Sequence, residues 1–497
     1  MSIVRKGSQC YYLVERPKFT EEELVFLEVV SRVALKKFSL QEMEQVFLTN
    51  KKAGSWLHDV ERNLVGKLKV EELTTDPDVL AEKEKQVSKF IEKHLPDSKN
   101  KKELSKEVTN MLCGVGKLSE LITDPDLEEI MINGVDKPVR VFHRKEGACK
   151  TNIVFHSQEK LLVLLSRIAS SEGKELSRVN PIIDARMTGG PRVNITVPPA
   201  STSPTLTIRQ FSFRPYSILD LVKFDTVNTN VAAFLWLAVE GMNVSPMNLI
   251  ITGGAGSGKT TSLNALSAFV PFDNRILTIE DTLELNLGGR DNWVQLEASY
   301  DYKTKMHISM DDLVKASLRM RPDRIMVGEV RGEEAVSLFT AMDVGITGSM
   351  GTLHSNDAKE TLLRLQSPPM NVHRQLLSLL DLIIVQHRFR GEGGRVLRRV
   401  TEISEVSWMG DKVLLNQIYK WDQARDSLSR TQLPSQTIEK MAFITGLSKP
   451  EISEELNLRQ GIIEWMLDQD LSYKESLKMF NEFCVDKDGF LNKVTAF

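Results

Sequence analysis

A lysine and a threonine that close a glycine-rich run are the residues best placed to do chemistry in this chain. Gly253, Gly254, Ala255, Gly256, Ser257, Gly258, Lys259 and Thr260 fit the P-loop pattern G-x-x-x-x-G-K-[ST], with Thr261 next. The glycines let backbone N–H groups converge on phosphate oxygens with no Cβ in the way, and a helix that starts there adds the positive end of its dipole. Lys259 is then placed to reach the β- and γ-phosphates, and the Thr260 hydroxyl to ligate Mg²⁺. The bland alternative is a glycine-rich turn. The flanks argue against it: Leu249–Ile251 reads as a buried strand, and an apolar helical pattern follows the loop.

Three later stretches carry further candidates. The apolar run Arg275–Ile279 leads straight into Glu280-Asp281-Thr282-Leu283-Glu284. Carboxylates just past the C-terminal end of such a strand stand where α/β sheets bind ligands, so Glu280, Asp281 and Glu284 are candidates for Mg²⁺. Arg324–Glu329 is a third apolar strand ending in Gly328-Glu329. A Walker B strand usually presents an Asp before the Glu. Here that position is Gly328, which leaves Glu329 to orient or deprotonate an attacking water and shifts metal binding to Thr260 and the acidic loop. A fourth strand, Ser349–Leu353, delivers His354, whose ring can sense a γ-phosphate by hydrogen bond. Taken alone, a histidine is more often structural and an acidic loop more often solvated.

Arg192, Arg209 and Arg214 lie on or beside strand ends in the segment before the P-loop. Arginines there are ordinarily solvent-facing or paired. Beside a phosphate site they become candidates for a developing γ-phosphate charge, because a guanidinium fork suits it.

The elements that must hold these residues follow from pattern. A length of 497 residues exceeds one core, and 41% hydrophobic with 26% charged residues is ordinary globular composition. Residues 1–110 read as a helical region, with start signals at Thr20-Glu23 and Ser39-Glu42 and a solvated helix over Ala81–His94. Residues 111–214 read as a small α+β domain: strands at 130–132, 139–142, 152–155, 192–197 and 206–209, and one helix from Leu161. Residues 215–430 alternate helix and strand as a parallel sheet requires, and 431–497 read as a C-terminal helical subdomain. The expected class is α/β, a RecA-like P-loop domain preceded by a small α+β domain and a helical segment.

A formal net charge of −3 gives no sign of a nucleic-acid binder driven by bulk charge. Cys10, Cys113, Cys149 and Cys484 make no CxxC pair, so the simple expectation is a reduced intracellular chain without a zinc ribbon. MSIVRKGSQCYY has no apolar core of signal-peptide length, and the apolar stretches fall far short of the ~18–20 residues that span a bilayer. A cytoplasmic chain is expected, held at the membrane by partners if it works there.

Four boxes now stand in order: the P-loop at 253–260, the acidic box at 280–284, Gly328-Glu329, and Gly351-Thr-Leu-His-Ser-Asn356. With the Arg-bearing domain before them, they resemble the secretion superfamily ATPases of type II and type IV secretion and type IV pili, in particular the archaeal branch that includes the archaellum motor. There the boxes are the Walker A, Asp box, Walker B and His box, and the Walker B has Gly before Glu, as here. Arg192 and Arg209 match the family's arginine-finger region, and Arg214 is a weaker match. The Arg331-Gly-Glu-Glu334 run also resembles the family, and the cysteine-rich zinc insertion of many bacterial pilus-extension members is absent.

The resemblance implies a homo-hexamer that binds ATP and Mg²⁺ and hydrolyses ATP. Its arginines would close onto the γ-phosphate. The ring would drive assembly of an archaellum or pilus-like filament, or rotation, through a polytopic membrane platform protein and other cytoplasmic motor components. A secretion, conjugation or DNA-transport ATPase of the same superfamily is the alternative, and its DNA-translocating or conjugation-type form predicts nucleic-acid-stimulated turnover. A small-molecule P-loop kinase would need an acceptor pocket and has no use for the long front domain. A non-catalytic scaffold is at odds with the retained Lys259, Thr260, Glu329 and His354.

Overall fold

The structure is a computed structural model that describes residues 1–6, 9–15, 17–35, 59–60, 64, 73–187, 191–210, 215–300, 307–391, 395–409 and 412–494. It divides into two units, Met1–Phe213 with Glu392–Val396, and Arg214–Gly391 with Leu397–Phe497.

In the first unit the described strands are β1 (Ser2–Lys6), β2 (Gln9–Leu13), β3 (Leu127–Ile132), β4 (Pro138–His143), β5 (Gly147–Val154), β6 (Ile182–Arg186), β7 (Arg192–Thr196) and β8 (Thr205–Arg209). They form one eight-stranded sheet in the order β1-β2-β5-β4-β3-β8-β7-β6. Alternation of buried and exposed residues along β5 gives the sheet one apolar face. Helix Gln158–Ser171 is capped by the Ser157 hydroxyl and buries Leu161, Leu164, Leu165 and Ile168 in the same core as Ile130, Val141 and Ile208. Helices Glu21–Leu35, Pro77–His94 and Lys101–Leu112 share a separate core around Phe26, Ile91 and Leu104.

Two expectations are corrected here. The first residues are not part of a helical preface: β1 and β2 extend the sheet, with β2 parallel to β5. The tyrosine and valine run around Tyr12 favours a strand once an edge is available to pair with, and Tyr12 is 2% exposed. That pairing also sets Cys10 opposite Cys149, with Cα atoms 4.6 Å apart, and the two form a disulfide. The expectation of four reduced cysteines therefore fails for this pair, because a sequence separation of 139 residues conceals a cross-strand contact. Cys113 and Cys484 are free. The start signal at Ser39–Glu42 lies outside the described residues.

In the second unit the described strands are β9 (Leu249–Thr252), β10 (Ile276–Glu280), β11 (Trp293–Glu297), β12 (Ser299–Tyr300), β13 (His307–Ile308), β14 (Arg324–Val330), β15 (Met350–Leu353), β16 (Leu382–Arg390), β17 (Val396–Met409), β18 (Lys412–Asp422) and β19 (Ser427–Arg430). All but the short β12–β13 pair form a nine-stranded sheet, ordered β11-β10-β14-β15-β9-β16-β17-β18-β19. The pairs from β11 through β16 are parallel. Strands β9, β10 and β15 are buried along their whole length, as apolar runs must be when helices cover both faces.

The C-terminal helices pack into the core of the second unit. Trp236, on the buried helix Thr229–Glu240, stacks on Phe269 and takes the edges of Phe480 and Phe483 at 4.8 Å each. Arg459 forms a buried ion pair with Glu240 over the same indole. The helices of 436–485 thus complete the main core. No helix among the described residues is long and apolar enough to cross a membrane.

Candidate nucleotide site

β9 lies between β15 and β16, and the glycine loop leaves its C-terminal end. In a parallel sheet that edge is where ligands bind. Helix Lys259–Leu266 begins immediately after the loop. Gly256 has φ 68°, and a Cβ there would lie 2.7 Å from Arg388 Nη1. The conformation therefore favours glycine at that position, while the Arg388 side chain lies close over it.

Lys259 is buried, and its Nζ donates to the Gly253 and Gly254 carbonyl oxygens at 2.9 and 3.1 Å. It also lies 3.3 Å from His354 Nδ1. An ammonium has only donors, so Nδ1 is the acceptor and Nε2 carries the ring proton. Nε2 faces Glu329 Oε1 at 2.9 Å, in close contact but not aligned as a hydrogen bond. Arg331 Nη2 donates to Glu329 Oε2 at 2.6 Å, and its Nη1 donates to Asp281 Oδ2 at 3.1 Å. One line of contacts thus runs from the glycine loop through His354, Glu329 and Arg331 to Asp281.

Local structure places each member of this line. Thr252 Oγ1 lies 2.6 Å from Ser355 Oγ, which tethers the turn carrying His354 to the end of β9. Thr352 Oγ1 donates to the Gly328 carbonyl at 2.6 Å, and the β14–β15 register shifts between Val327 and Val330. An irregularity of this kind re-aims a side chain, here that of Glu329.

The electrostatics follow from this packing. Burial raises the Glu329 carboxyl, but the Arg331 hydrogen bond and the charges of Arg331 and Lys259 outweigh it, and the net shift is down. Glu329 is therefore ionised at neutral pH and able to accept a proton or a water hydrogen. Burial and then the Lys259 charge lower His354, against the pull of Glu329, so its ring is neutral.

The acidic box is split rather than gathered. Glu280 is the last residue of β10 and 2% exposed. Its Oε1 accepts the backbone N–H groups of Glu284 and Leu285 at 2.9 and 3.0 Å, while Asp281 turns to Arg331. The described residues contain no cluster of three or more acidic, His or Cys side chains able to hold a metal. β10 carries Glu280 into the sheet while the loop turns Asp281 outward to Arg331. Burial pushes the Glu280 carboxyl up to about 7. Its Oε2 is buried without a partner, as is Ser257 Oγ in the glycine loop. An orphaned carboxylate oxygen and an orphaned hydroxyl are fitted to Mg²⁺ and its waters and to a phosphate, respectively.

Arg192 and Arg209 are direct cross-strand partners on β7 and β8, and Arg209 is exposed. Opposed residues of an antiparallel pair share a face, so the fold brings these two together within the first unit. Arg214 lies outside the described residues.

A profile of the type II/IV secretion system protein family matches residues 114–406. The chain belongs to that family. An uncharacterized protein of Methanocaldococcus jannaschii is 44% identical over 48% of this chain and 33% of its own length. A second from that organism is 32% identical over 72% of this chain and 65% of its own. The type IV secretion system protein VirB11 of Bartonella henselae is 30% identical over 60% of this chain and 93% of its own. The match thus spans a third of the first of these relatives and somewhat under two thirds of the second.

Sequence reasoning missed the other wall of the loop in this secretion-family chain. Gln386 is 1% exposed and accepts the Ser262 hydroxyl at 2.8 Å, and Arg398 Nε donates to the Gly256 carbonyl at 3.1 Å. The available signal was the alternation of Gln386, Arg388 and Arg390, which places them on one face of β16.

Proposed function

We propose that this chain is a Mg²⁺-dependent ATPase, converting ATP and water to ADP and phosphate. The observation that carries the reading is the contact line Lys259–His354–Glu329, which joins a phosphate loop to an ionised carboxylate. The loop from Gly253 to Lys259, with Thr260 and Thr261 at the helix start, would hold the phosphates. Lys259 would exchange its loop carbonyls for β- and γ-phosphate oxygens. Thr260 and Glu280 would hold Mg²⁺, with Asp281 and Glu284 acting through waters. When bound, the metal neutralises phosphate charge. Glu329 would orient and deprotonate the attacking water, and His354 would sense the γ-phosphate by a hydrogen bond from its Nε2–H. Arg192 and Arg209, with Arg214, would supply positive charge to the same phosphate when the small domain closes. Phosphoryl transfer needs in-line positioning and charge neutralisation more than covalent help, and this residue set supplies both.

We further infer a homo-hexameric motor with its catalytic domain at 215–430 and its arginine-bearing domain at 111–214. It would work in the cytoplasm, at the membrane, on a polytopic platform protein and with other cytoplasmic motor components, to assemble an archaellum or type IV pilus-like filament. Membership of the secretion family and the archaeal relatives support this reading. The similarity to a type IV secretion system protein supports a second reading, substrate transport by the same motor. Free phosphate released without an acceptor, from a particle of six subunits, tests the ATPase motor. A membrane-partner pull-down with ATP separates a filament platform from a transport channel. Turnover unaffected by DNA is the expected result for the first reading.

A further inference from the structure

The glycine loop has two flanks, and the proposed chemistry uses one of them. Lys259 Nζ points toward His354, just past the end of β15, with Glu329 of the neighbouring β14 beyond it, so the γ-phosphate end of a nucleotide belongs on that side. A triphosphate laid along the loop then directs its α-phosphate and nucleoside the other way, toward β16 and β17. That flank is built and cationic. Arg388 is exposed, with its Nη1 against the Cα face of Gly256. Arg398 is half-buried, its Nε holds the Gly256 carbonyl, and its Cδ lies 3.3 Å from where a Cβ of Gly258 would be. Gln386 Nε2 is 3.0 Å from that same point, and its Oε1 anchors the helix through Ser262. Strand spacing puts Gln386 and Arg388 on one face of β16, so a single face carries the support and the charge.

We propose that Arg388 and Arg398 form the diphosphate-nucleoside grip of this site, a role that rests on the P-loop reading above. Arg388 contacts the α-phosphate side of the nucleotide directly. Arg398 is a positioning residue: it fixes the Gly256 carbonyl and thereby aims the neighbouring N–H groups of the loop at the phosphates. This flank touches what ADP and ATP share. It therefore holds the product as firmly as the substrate and contributes to binding rather than to the transition state.

The test is equilibrium binding of ADP, with ATP turnover, on the full chain. Arg388→Ala raises the ADP dissociation constant and the KM for ATP together, by about tenfold, the loss of one charge-assisted phosphate contact. Arg398→Ala shows the same split, in KM and ADP affinity rather than in kcat. Arg388→Lys, which keeps the charge at an exposed position, recovers most of the lost affinity. Unchanged ADP affinity in both alanine variants overturns the inference, as does a fall in kcat with ADP affinity intact. Lys259→Ala separates this failure from that of the underlying reading. If it loses ADP while the arginine variants keep it, the grip alone is wrong. If it binds ADP as the parent does, the P-loop reading goes with it.

Discussion

Glu280 and Gly328 share one volume: a Cβ at position 328 would lie 2.8 Å from Glu280 Cγ. The two follow Ile279 and Val327, which are paired across parallel strands β10 and β14, so both reach the same point at the edge of the sheet. A Walker B aspartate at 328 and a carboxylate at 280 are therefore alternatives, and this chain has the second. Gly328→Asp is expected to displace Glu280 and lower stability by about 1–3 kcal/mol, the ordinary cost of overpacking a closed site. Denaturant unfolding measures it. A Gly328→Asp chain as stable as the parent would refute the shared-volume argument.

Glu329→Gln keeps the shape of the side chain and removes its charge. Nucleotide binding is expected to persist while kcat falls by roughly a hundredfold or more, as loss of a general base requires. Single-turnover phosphate release checks this, and an unchanged kcat removes Glu329 from the chemistry.

Arg192→Ala and Arg209→Ala are expected to lower kcat by roughly tenfold or more with little change in nucleotide affinity, the pattern of a group that acts late on the transferring phosphate. Equal loss of kcat in either single variant and in the double would indicate that the cross-strand pair acts as one unit. Normal kcat in both singles makes them ordinary sheet arginines.

His354 carries a pH dependence whose sign follows from its lowered pKa. The unfolded ring binds a proton near pH 6.5 and the folded ring only at lower pH. The neutral ring's contribution to stability is thus complete above pH 6.5 and lost as pH falls through the folded value. His354→Gln is expected to flatten the nucleotide-free stability curve in that window. Parallel curves for the two proteins would contradict it.

The Cys10–Cys149 disulfide closes a separation of 139 residues and restrains mainly the unfolded chain. Cys149→Ala, or a reductant on the parent, is expected to lower stability by about 2–5 kcal/mol. Equal unfolding midpoints with and without reductant would show that the bond contributes nothing.

Local order was largely legible in the amino-acid sequence. The glycine spacing of 253–260, the apolar runs before Glu280, Glu329 and His354, and the strands carrying Arg192 and Arg209 are short-range patterns, and backbone sterics and burial act on them directly. The parallel sheet follows from the alternation of those runs with helices.

What lies beyond this is a matter of which segments become neighbours. Strand order put His354 between Lys259 and Glu329, set Glu280 into the space left by Gly328, and brought Arg388 and Arg398 from more than a hundred residues away onto the glycine loop. It likewise carried the first strands across to β5 and closed a disulfide there. Periodicity reports which side of an element is buried. It carries no information about the partner that buries it, since pairing energy is gained between residues remote in the chain. The amino-acid sequence alone determined the phosphate loop and the residue types around it. The tertiary structure decided which carboxylate stands at the edge of β10, which charges tune Glu329, and that the loop has a second, cationic flank.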